Sequence, residues 1–122
     1  MIFMSMTRIP KRGEIWLVDF EPSFGAEIRK VRPAVVLSLD QLARLPLRVV
    51  VPLTEWKPQY KQYSWFVRIP MSPANGLGKE SGADAFQVKS VSETRFARLL
   101  GAASPIELDA IATAVAFVVG KP

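Results

Sequence analysis

The chain reads Gly25-Ala26-Glu27-Ile28-Arg29-Lys30-Val31-Arg32-Pro33 and then Ala34-Val35-Val36-Leu37-Ser38. A turn-forming glycine and a carboxylate precede three cations, and a proline leads into an apolar run. Because proline restricts the residue before it to extended backbone, Arg32 is predicted to stand at the base of a rigid strand. A guanidinium held in this way can clamp a phosphate through two parallel hydrogen bonds. The residues alone leave a second interpretation open, a solvated basic loop with no ligand.

The overall composition predicts one globular domain over residues 1–122, with 1–9 as a disordered N-terminal extension. Apolar residues make up 49% of the chain and charged residues 22%, an ordinary balance for a folded domain. Three methionines fall within the first six residues, so the sequence does not fix the true start. We see no signal peptide and no span long enough to cross a bilayer, and expect a cytoplasmic protein without a membrane partner.

The charge balance favours a polyanionic partner, since 16 Lys and Arg face 11 Asp and Glu for a net charge of +5. A merely basic protein remains the alternative. The chain contains no cysteine and no histidine, which excludes disulfides and a Ser-His triad and argues against a zinc site. We therefore expect no metal and no cofactor, and arginine becomes the leading candidate for chemistry.

Short strands are predicted through the first three quarters of the chain from their β-branched, aromatic or continuously apolar residues. They are Glu14–Phe20, Ala34–Leu37, Val49–Val51, Tyr63–Ile69 and Ala83–Lys89. Asn75-Gly76-Leu77-Gly78 is a strong turn signal between the last two strands. It continues into Lys79, but the spacing does not fit a phosphate-binding P-loop.

Helices are predicted mainly at the end of the chain. Asp40 is expected to cap a short helix over 41–45, and Ser92 another that runs to about Leu99. Ser104-Pro105-Ile106-Glu107 has the pattern of a capping box with proline at the first helical position, and Gly120 is expected to end that helix. Strands first and helices late predict a mainly β, α+β fold, with a small antiparallel sheet or half-open barrel and a C-terminal helix.

Two further features are candidates for nucleic-acid binding. Thr54 ends an apolar strand, where its hydroxyl can donate to a phosphate, although threonine is also common in strands for its β propensity. Aromatic residues between 56 and 66 alternate with Lys57 and Lys61. Trp56 and its neighbours can stack on unpaired bases while the lysines follow the backbone, or they can be core residues of one strand face.

In this order, several blocks resemble the MazF/PemK/Kid toxins of bacterial toxin–antitoxin systems. The blocks are Arg12–Pro22, Gly25-x-Glu27, Arg32–Ser38, Val51-Pro52-Leu53-Thr54, Gln87-Val88-Lys89-Ser90 and Gly101–Pro105. The resemblance implies an SH3-like half-open antiparallel barrel like that of CcdB and PemK, with short helices and a C-terminal helix. It also implies a homodimer and a cognate antitoxin with an acidic flexible tail.

The same resemblance implies a toxin endoribonuclease (an mRNA interferase) that cleaves single-stranded RNA without metal and arrests growth. Its catalytic arginine and threonine fall on Arg32 and Thr54, its loop glutamate on Glu27, and its RNA-contacting glutamine on Gln87. Many members read Gly-Ser-Glu-Gln where this chain has Gly25-Ala26-Glu27-Ile28, so a loop hydroxyl and amide are missing. Arg29 and Lys30 add positive charge there and are expected to grip phosphate.

The chemistry implied is attack of the RNA 2′-oxygen on the adjacent phosphorus, which leaves a 2′,3′-cyclic phosphate and a 5′-hydroxyl. Arg32 and Thr54 would stabilise the phosphate, and Glu27 would take the 2′ proton. Two alternatives remain open on the same fold: a non-catalytic toxin resembling the CcdB gyrase poisons, and a degenerate member that only binds nucleic acid or antitoxin. A gyrase poison does not need a phosphate-stabilising pair such as Arg32 and Thr54, whereas the altered loop at Ala26 and Ile28 keeps the degenerate member open.

Overall fold

The computed structural model describes residues 8–22, 24–27 and 30–122. Seven strands and one α-helix lie within these ranges. The strands are β1 Glu14–Asp19, β2 Val31–Val36, β3 Leu47–Glu55, β4 Phe66–Ile69, β5 Ser81–Asp84, β6 Lys89–Ser92 and β7 Phe96–Ala102, and the helix is α1 Pro105–Val118. The predicted N-terminal extension, 1–9, falls mostly outside the described residues.

The strands form one antiparallel sheet in the order β4-β5-β3-β2-β1-β7, with β6 also paired to β3. The long strand β3 makes this possible, because its first half pairs with β2 and β6 and its second half with β5. The mainly β, antiparallel fold with a C-terminal helix is therefore confirmed. The change of partners along β3 places the start of β2 and the start of β5 on either side of the C-terminal half of β3.

Both faces of the central strands are buried, which explains their continuous apolar runs. One core cluster joins Ile15, Val35 and Val51 to Ile111 of α1, so the helix covers this face. The other contains Trp16, and the strands β6 and β7 close over it. Each fully buried Val, Leu or Ile side chain contributes about 1.5–3 kcal/mol relative to exposure.

The helix α1 begins as its sequence predicts. Ser104 Oγ accepts a hydrogen bond from the Glu107 N–H at 3.1 Å, and Glu107 Oε1 accepts one from the Ser104 N–H at 2.9 Å. The helix ends before Gly120, whose φ of +79° is the left-handed conformation that glycine favours. Ile106, in the first turn of the helix, is 83% exposed.

Three sequence predictions of secondary structure are wrong. The helix from Ser92 to Leu99 is absent: Ser92 caps a single 3-10 turn, Glu93–Arg95, and β7 follows because it pairs along β1. Asp40 does not cap a helix, since its Oδ1 accepts from the Arg12 N–H at 2.8 Å and only a 3-10 turn, Asp40–Leu42, forms. The strand expected over Ala83–Lys89 is interrupted by a 3-10 turn, Ala85–Gln87, which Asp84 caps.

Candidate active site

Arg32 and Thr54 lie on the neighbouring strands β2 and β3. These strands pair with Ala34 opposite Pro52, so Arg32, two residues before Ala34, and Thr54, two residues after Pro52, lie at the same end of the strand pair. Arg32 pairs with Val18 on its other side, and Thr54 pairs with Gly82 of β5. Both residues line one cavity of about 100 Å³. The structure therefore brings together the two residues on which the predicted chemistry depends.

The rest of this cavity comes from β3 and from the loop before β5. Glu55, Gly78, Lys79 and Ser81 also line it. Lys79 Nζ lies 3.5 Å from Glu55 Oε1, and the Ser81 hydroxyl donates to the Lys79 carbonyl at 3.1 Å. We call the cavity that these residues line together with Arg32 and Thr54 the Arg32 cavity. It combines two cations, two hydroxyls and one carboxylate.

The size of the Arg32 cavity limits what it can hold. Pockets that enclose drug-sized ligands are typically about 300–1,000 Å³, whereas this one is about 100 Å³. A phosphate group fits that volume better than a whole nucleotide does. Fixed guanidinium and hydroxyl donors suit the charged oxygens of such a group.

A second cavity of about 320 Å³ is lined by Ala26, Glu27, Phe86, Gln87, Val88 and Lys89. Gln87 Nε2 donates to the Ala26 carbonyl at 3.3 Å, and Lys89 Nζ lies 3.9 Å from Glu27 Oε2. Glu27 Oε1 accepts from the Phe24 N–H at 2.7 Å. The structure thus brings Glu27 and Gln87 together, but in this second cavity rather than among the residues that line the Arg32 cavity.

The basic loop that precedes β2 is only partly described. Lys30 is exposed and adopts a φ of +63°, and its N–H donates to Glu21 Oε2 at 2.6 Å. Backbone hydrogen bonding therefore fixes Lys30 at the loop end while its side chain faces solvent. Arg29 lies outside the described residues.

The predicted aromatic cluster is largely engaged with itself. Tyr60 and Phe66 stack with ring centroids 4.0 Å apart, and Trp56 meets Tyr60 edge to face at 5.7 Å. The guanidinium of Arg68 lies over the Trp56 ring at 5.3 Å. Lys57 and Lys61 are exposed at and within the 3-10 turn Pro58–Gln62, and line neither cavity.

The surroundings of two carboxyl groups near these cavities shift their pKa values. Arg68 donates to Glu80 Oε2 at 2.5 Å, and this hydrogen bond lowers the pKa of Glu80. Asp84 is partly withdrawn from water, which raises its pKa, while the hydrogen bond from the Phe86 N–H opposes that shift. The charged form of Asp84 is therefore disfavoured in the folded protein.

Sequence reasoning missed the contributions of Glu55, Lys79 and Ser81 to the Arg32 cavity. Lys79 follows the Asn75-Gly76-Leu77-Gly78 turn, a signal visible in the sequence but matching no phosphate-binding motif. Glu55 is adjacent to Thr54. Within the described ranges no group of three or more acidic, cysteine or histidine side chains is placed to hold a metal ion, and no helix is long and apolar enough to cross a membrane.

Comparison with known proteins identifies the family. The model of the PemK-like, MazF-like toxins of type II toxin–antitoxin systems matches residues 11–119. The chain is 36% identical over 104 residues to the endoribonuclease MazF9 of Mycobacterium tuberculosis. This alignment covers 80% of this chain and 86% of MazF9. The chain therefore belongs to the PemK-like, MazF-like toxin family, as the sequence motifs predicted.

Solved structures confirm the fold. MazF from Deinococcus radiodurans superposes with a TM-score of 0.79 at 24% identity, covering 93% of this chain and 98% of that one. An endoribonuclease in complex with its cognate antitoxin, from a mycobacterial species, has a TM-score of 0.73 at 22% identity and covers 93% and 97% of the two chains.

Proposed function

We propose that this protein is a toxin endoribonuclease that cleaves single-stranded RNA without a metal ion. The observation that carries the proposal is the placement of Arg32 and Thr54 in one cavity of phosphate size. Membership of the toxin family and the similarity to a protein named as an endoribonuclease support it.

In the proposed reaction the RNA 2′-oxygen is the nucleophile. The 2′-hydroxyl loses its proton to a base, the O2′–P bond forms, and the bond from phosphorus to the 5′-oxygen breaks. That oxygen takes a proton from Arg32 or from water, leaving a 2′,3′-cyclic phosphate and a 5′-hydroxyl. No residue of the protein acts as a nucleophile, which suits a chain without cysteine or histidine.

Arg32 and Thr54 stabilise the phosphate in this mechanism. Negative charge builds up on its non-bridging oxygens as the 2′-oxygen attacks, and preorganised donors lower the barrier because they need not reorient. Arginine is a poor base because its guanidinium stays protonated in proteins. Arg32 and Thr54 therefore stabilise the charge, Arg32 or water protonates the leaving oxygen, and another residue acts as the base.

We propose Glu27 as the general base. Its carboxylate lies in the second cavity, where it accepts from the Phe24 N–H and pairs with Lys89. Bound RNA would have to span both cavities so that its 2′-hydroxyl reaches Glu27 while its phosphate occupies the Arg32 cavity. If a Glu27→Gln variant binds RNA normally but cleaves it slowly at every pH, the result supports Glu27 as the base. If the variant cleaves RNA as fast as the wild type, Glu27 is not the base.

The remaining basic and polar residues are proposed to bind RNA outside the reacting phosphate. Gln87, in the second cavity, presents its side-chain amide to the edge of an RNA base. Arg29, Lys30, Lys57 and Lys61 contact neighbouring phosphates, and Trp56 contributes an aromatic surface. Phosphate contacts of this kind give affinity but no sequence preference.

The proposal extends to regulation. A net charge of +5 suits an antitoxin whose acidic flexible tail covers the RNA-binding surface. The structural relative bound to its cognate antitoxin supports such a partner. We further propose that the toxin acts as a homodimer in the cytoplasm.

Primer-extension mapping on a mixed RNA pool tests the function. Defined cleavage sites that appear with the wild-type protein, together with growth arrest on expression, support a ribonuclease toxin. Growth arrest without any RNA cleavage would favour a non-catalytic toxin. If neither RNA cleavage nor growth arrest is observed, the result would favour a degenerate member that only binds nucleic acid or antitoxin.

A further inference from the structure

The loop between β4 and β5 is built around one buried amide. Asn75 is 1% exposed, and its Oδ1 accepts hydrogen bonds from the N–H groups of Ser72 at 3.1 Å and Leu77 at 3.0 Å. Its Nδ2 donates to the Pro70 carbonyl at 2.8 Å. One side chain therefore ties together three points of the loop, which is rigid for a segment of irregular backbone.

The same loop is fixed against β7 by two glycines. A β-carbon on Gly76 would lie 2.1 Å from the Leu100 carbonyl oxygen, and one on Gly101 would lie 2.3 Å from that of Ala74. The two backbones thus meet at a distance that no other residue permits. Gly76 also has a φ of +66°, a second reason why only glycine fits.

This rigid loop delivers Lys79 to the Arg32 cavity. The hydroxyl of the buried Ser81 holds the Lys79 carbonyl at 3.1 Å, and the Trp56 N–H holds the Glu80 carbonyl at 3.0 Å. The backbone of Lys79 is therefore anchored on its C-terminal side to β5 and to the residue that follows β3. Only its side chain is free to change partners.

The present partner of Lys79 is a weak one. Its ammonium lies 3.5 Å from Glu55, and the two side chains are 66% and 63% exposed. An ion pair this exposed contributes little net stability because water screens it. A phosphate that enters the cavity can replace Glu55 as the partner of the Lys79 ammonium, because breaking the exposed ion pair costs little free energy.

We propose that Lys79 is a second phosphate-binding cation of the Arg32 cavity and that Glu55 holds it there until RNA binds. The inference rests on the proposed function, since it assigns Lys79 to the same RNA phosphate or the one next to it. Lys79 reaches the cavity from the loop before β5 and Arg32 from β2, so the two cations contact the phosphate from different elements. The turn Asn75-Gly76-Leu77-Gly78, which matches no P-loop motif, would serve to position this lysine.

The test measures how RNA affinity depends on salt. The probe is a fluorescent 2′-O-methyl oligoribonucleotide of mixed sequence, which lacks the attacking hydroxyl and stays intact. Each phosphate contact contributes about 0.7 to the slope of log affinity against log salt for a single strand. We expect Lys79→Met to reduce the slope by about that amount and Lys121→Met, an exposed lysine after α1, to leave it unchanged.

Glu55→Gln provides the opposite perturbation. It frees the ammonium and is expected to tighten binding by up to about fivefold. The gain should be smaller when Lys79 is already Met. An equal gain in both backgrounds would show that Glu55 acts by repulsion alone and would overturn its pairing role.

Cleavage of unmodified RNA in parallel separates this inference from the proposed function. Cleavage by the wild type together with an unchanged slope for Lys79→Met overturns the role of Lys79 and leaves the ribonuclease proposal standing. A wild-type protein that neither binds the probe nor cleaves RNA overturns both.

Discussion

Arg32, near the start of β2, and Thr54, near the end of β3, lie at the same end of two neighbouring antiparallel strands and line the same cavity. They are separated by a 3-10 turn and most of β3 along the chain, so the sheet alone brings them together. Backbone pairing with a further strand fixes each one, through Val18 of β1 for Arg32 and Gly82 of β5 for Thr54. Groups held this way are preorganised, which is the property that stabilisation of charge developing on a phosphate would need.

Replacing Thr54 by Val should remove a phosphate donor while preserving shape and β propensity. We expect the rate of RNA cleavage to fall by about a hundredfold to a thousandfold, the usual effect of losing one preorganised donor. Single-turnover cleavage measures it. Thr54→Ser keeps the hydroxyl and should retain most of the activity, and equal rates for Val and wild type would remove Thr54 from the mechanism.

Replacing Gly76 by Ala should destabilise the protein through the loop that carries Lys79. The substitution forces a side chain into a left-handed backbone and against the Leu100 carbonyl. Strain of the first kind alone costs about 1–3 kcal/mol, and the clash adds to it. Urea denaturation measures the free energy of unfolding.

Gly78→Ala is the matched control for that experiment. A β-carbon on Gly78 meets open space, and the free energy of unfolding should change by less than about 0.5 kcal/mol. Similar stabilities for the Gly76 and Gly78 variants would contradict the close approach of this loop to β7.

Replacing Asp84 by Asn should raise the stability of the protein near neutral pH. The folded protein raises the pKa of Asp84 above its ordinary value of 3.8, so its charged form is penalised relative to the unfolded chain. The penalty is fully present above the folded pKa and disappears as the pH falls below 3.8. Asparagine keeps the oxygen that accepts from Phe86.

Thermal unfolding of both proteins from pH 7 to pH 3 checks this prediction. The stability advantage of Asp84→Asn should shrink as the pH is lowered and the wild-type carboxyl takes up its proton. An advantage that grows toward low pH would mean that the charged carboxylate stabilises the fold.

Local patterns predicted the elements whose sequence and tertiary context agree. The apolar runs at 34–37 and 49–51 are central strands buried on both faces, and the capping box at Ser104 begins α1. The helix expected from Ser92 failed because β7 gains hydrogen bonds along β1 and buries Phe96, which local propensity does not register. The strand expected after Ala83 failed because Asp84 caps a turn.

The candidate site shows the same division. Arg32 and Thr54 are visible in the sequence because proline and a strand end mark them. Lys79 and Glu55 cannot be recognised from the sequence as members of the site. Their contact depends on how the loop between β4 and β5 folds against β7. Short motifs describe residues close in the chain, whereas this cavity is assembled from three distant segments.

Cleavage of RNA in EDTA by wild-type protein and by Arg32→Ala, with the end groups of the products identified, tests the central claim most directly. We predict 2′,3′-cyclic phosphate and 5′-hydroxyl ends for the wild type. The Arg32→Ala variant should cleave at least about a hundredfold more slowly with an unchanged melting temperature. Cleavage that requires Mg²⁺, or an Arg32→Ala variant as fast as the wild type, would contradict the account.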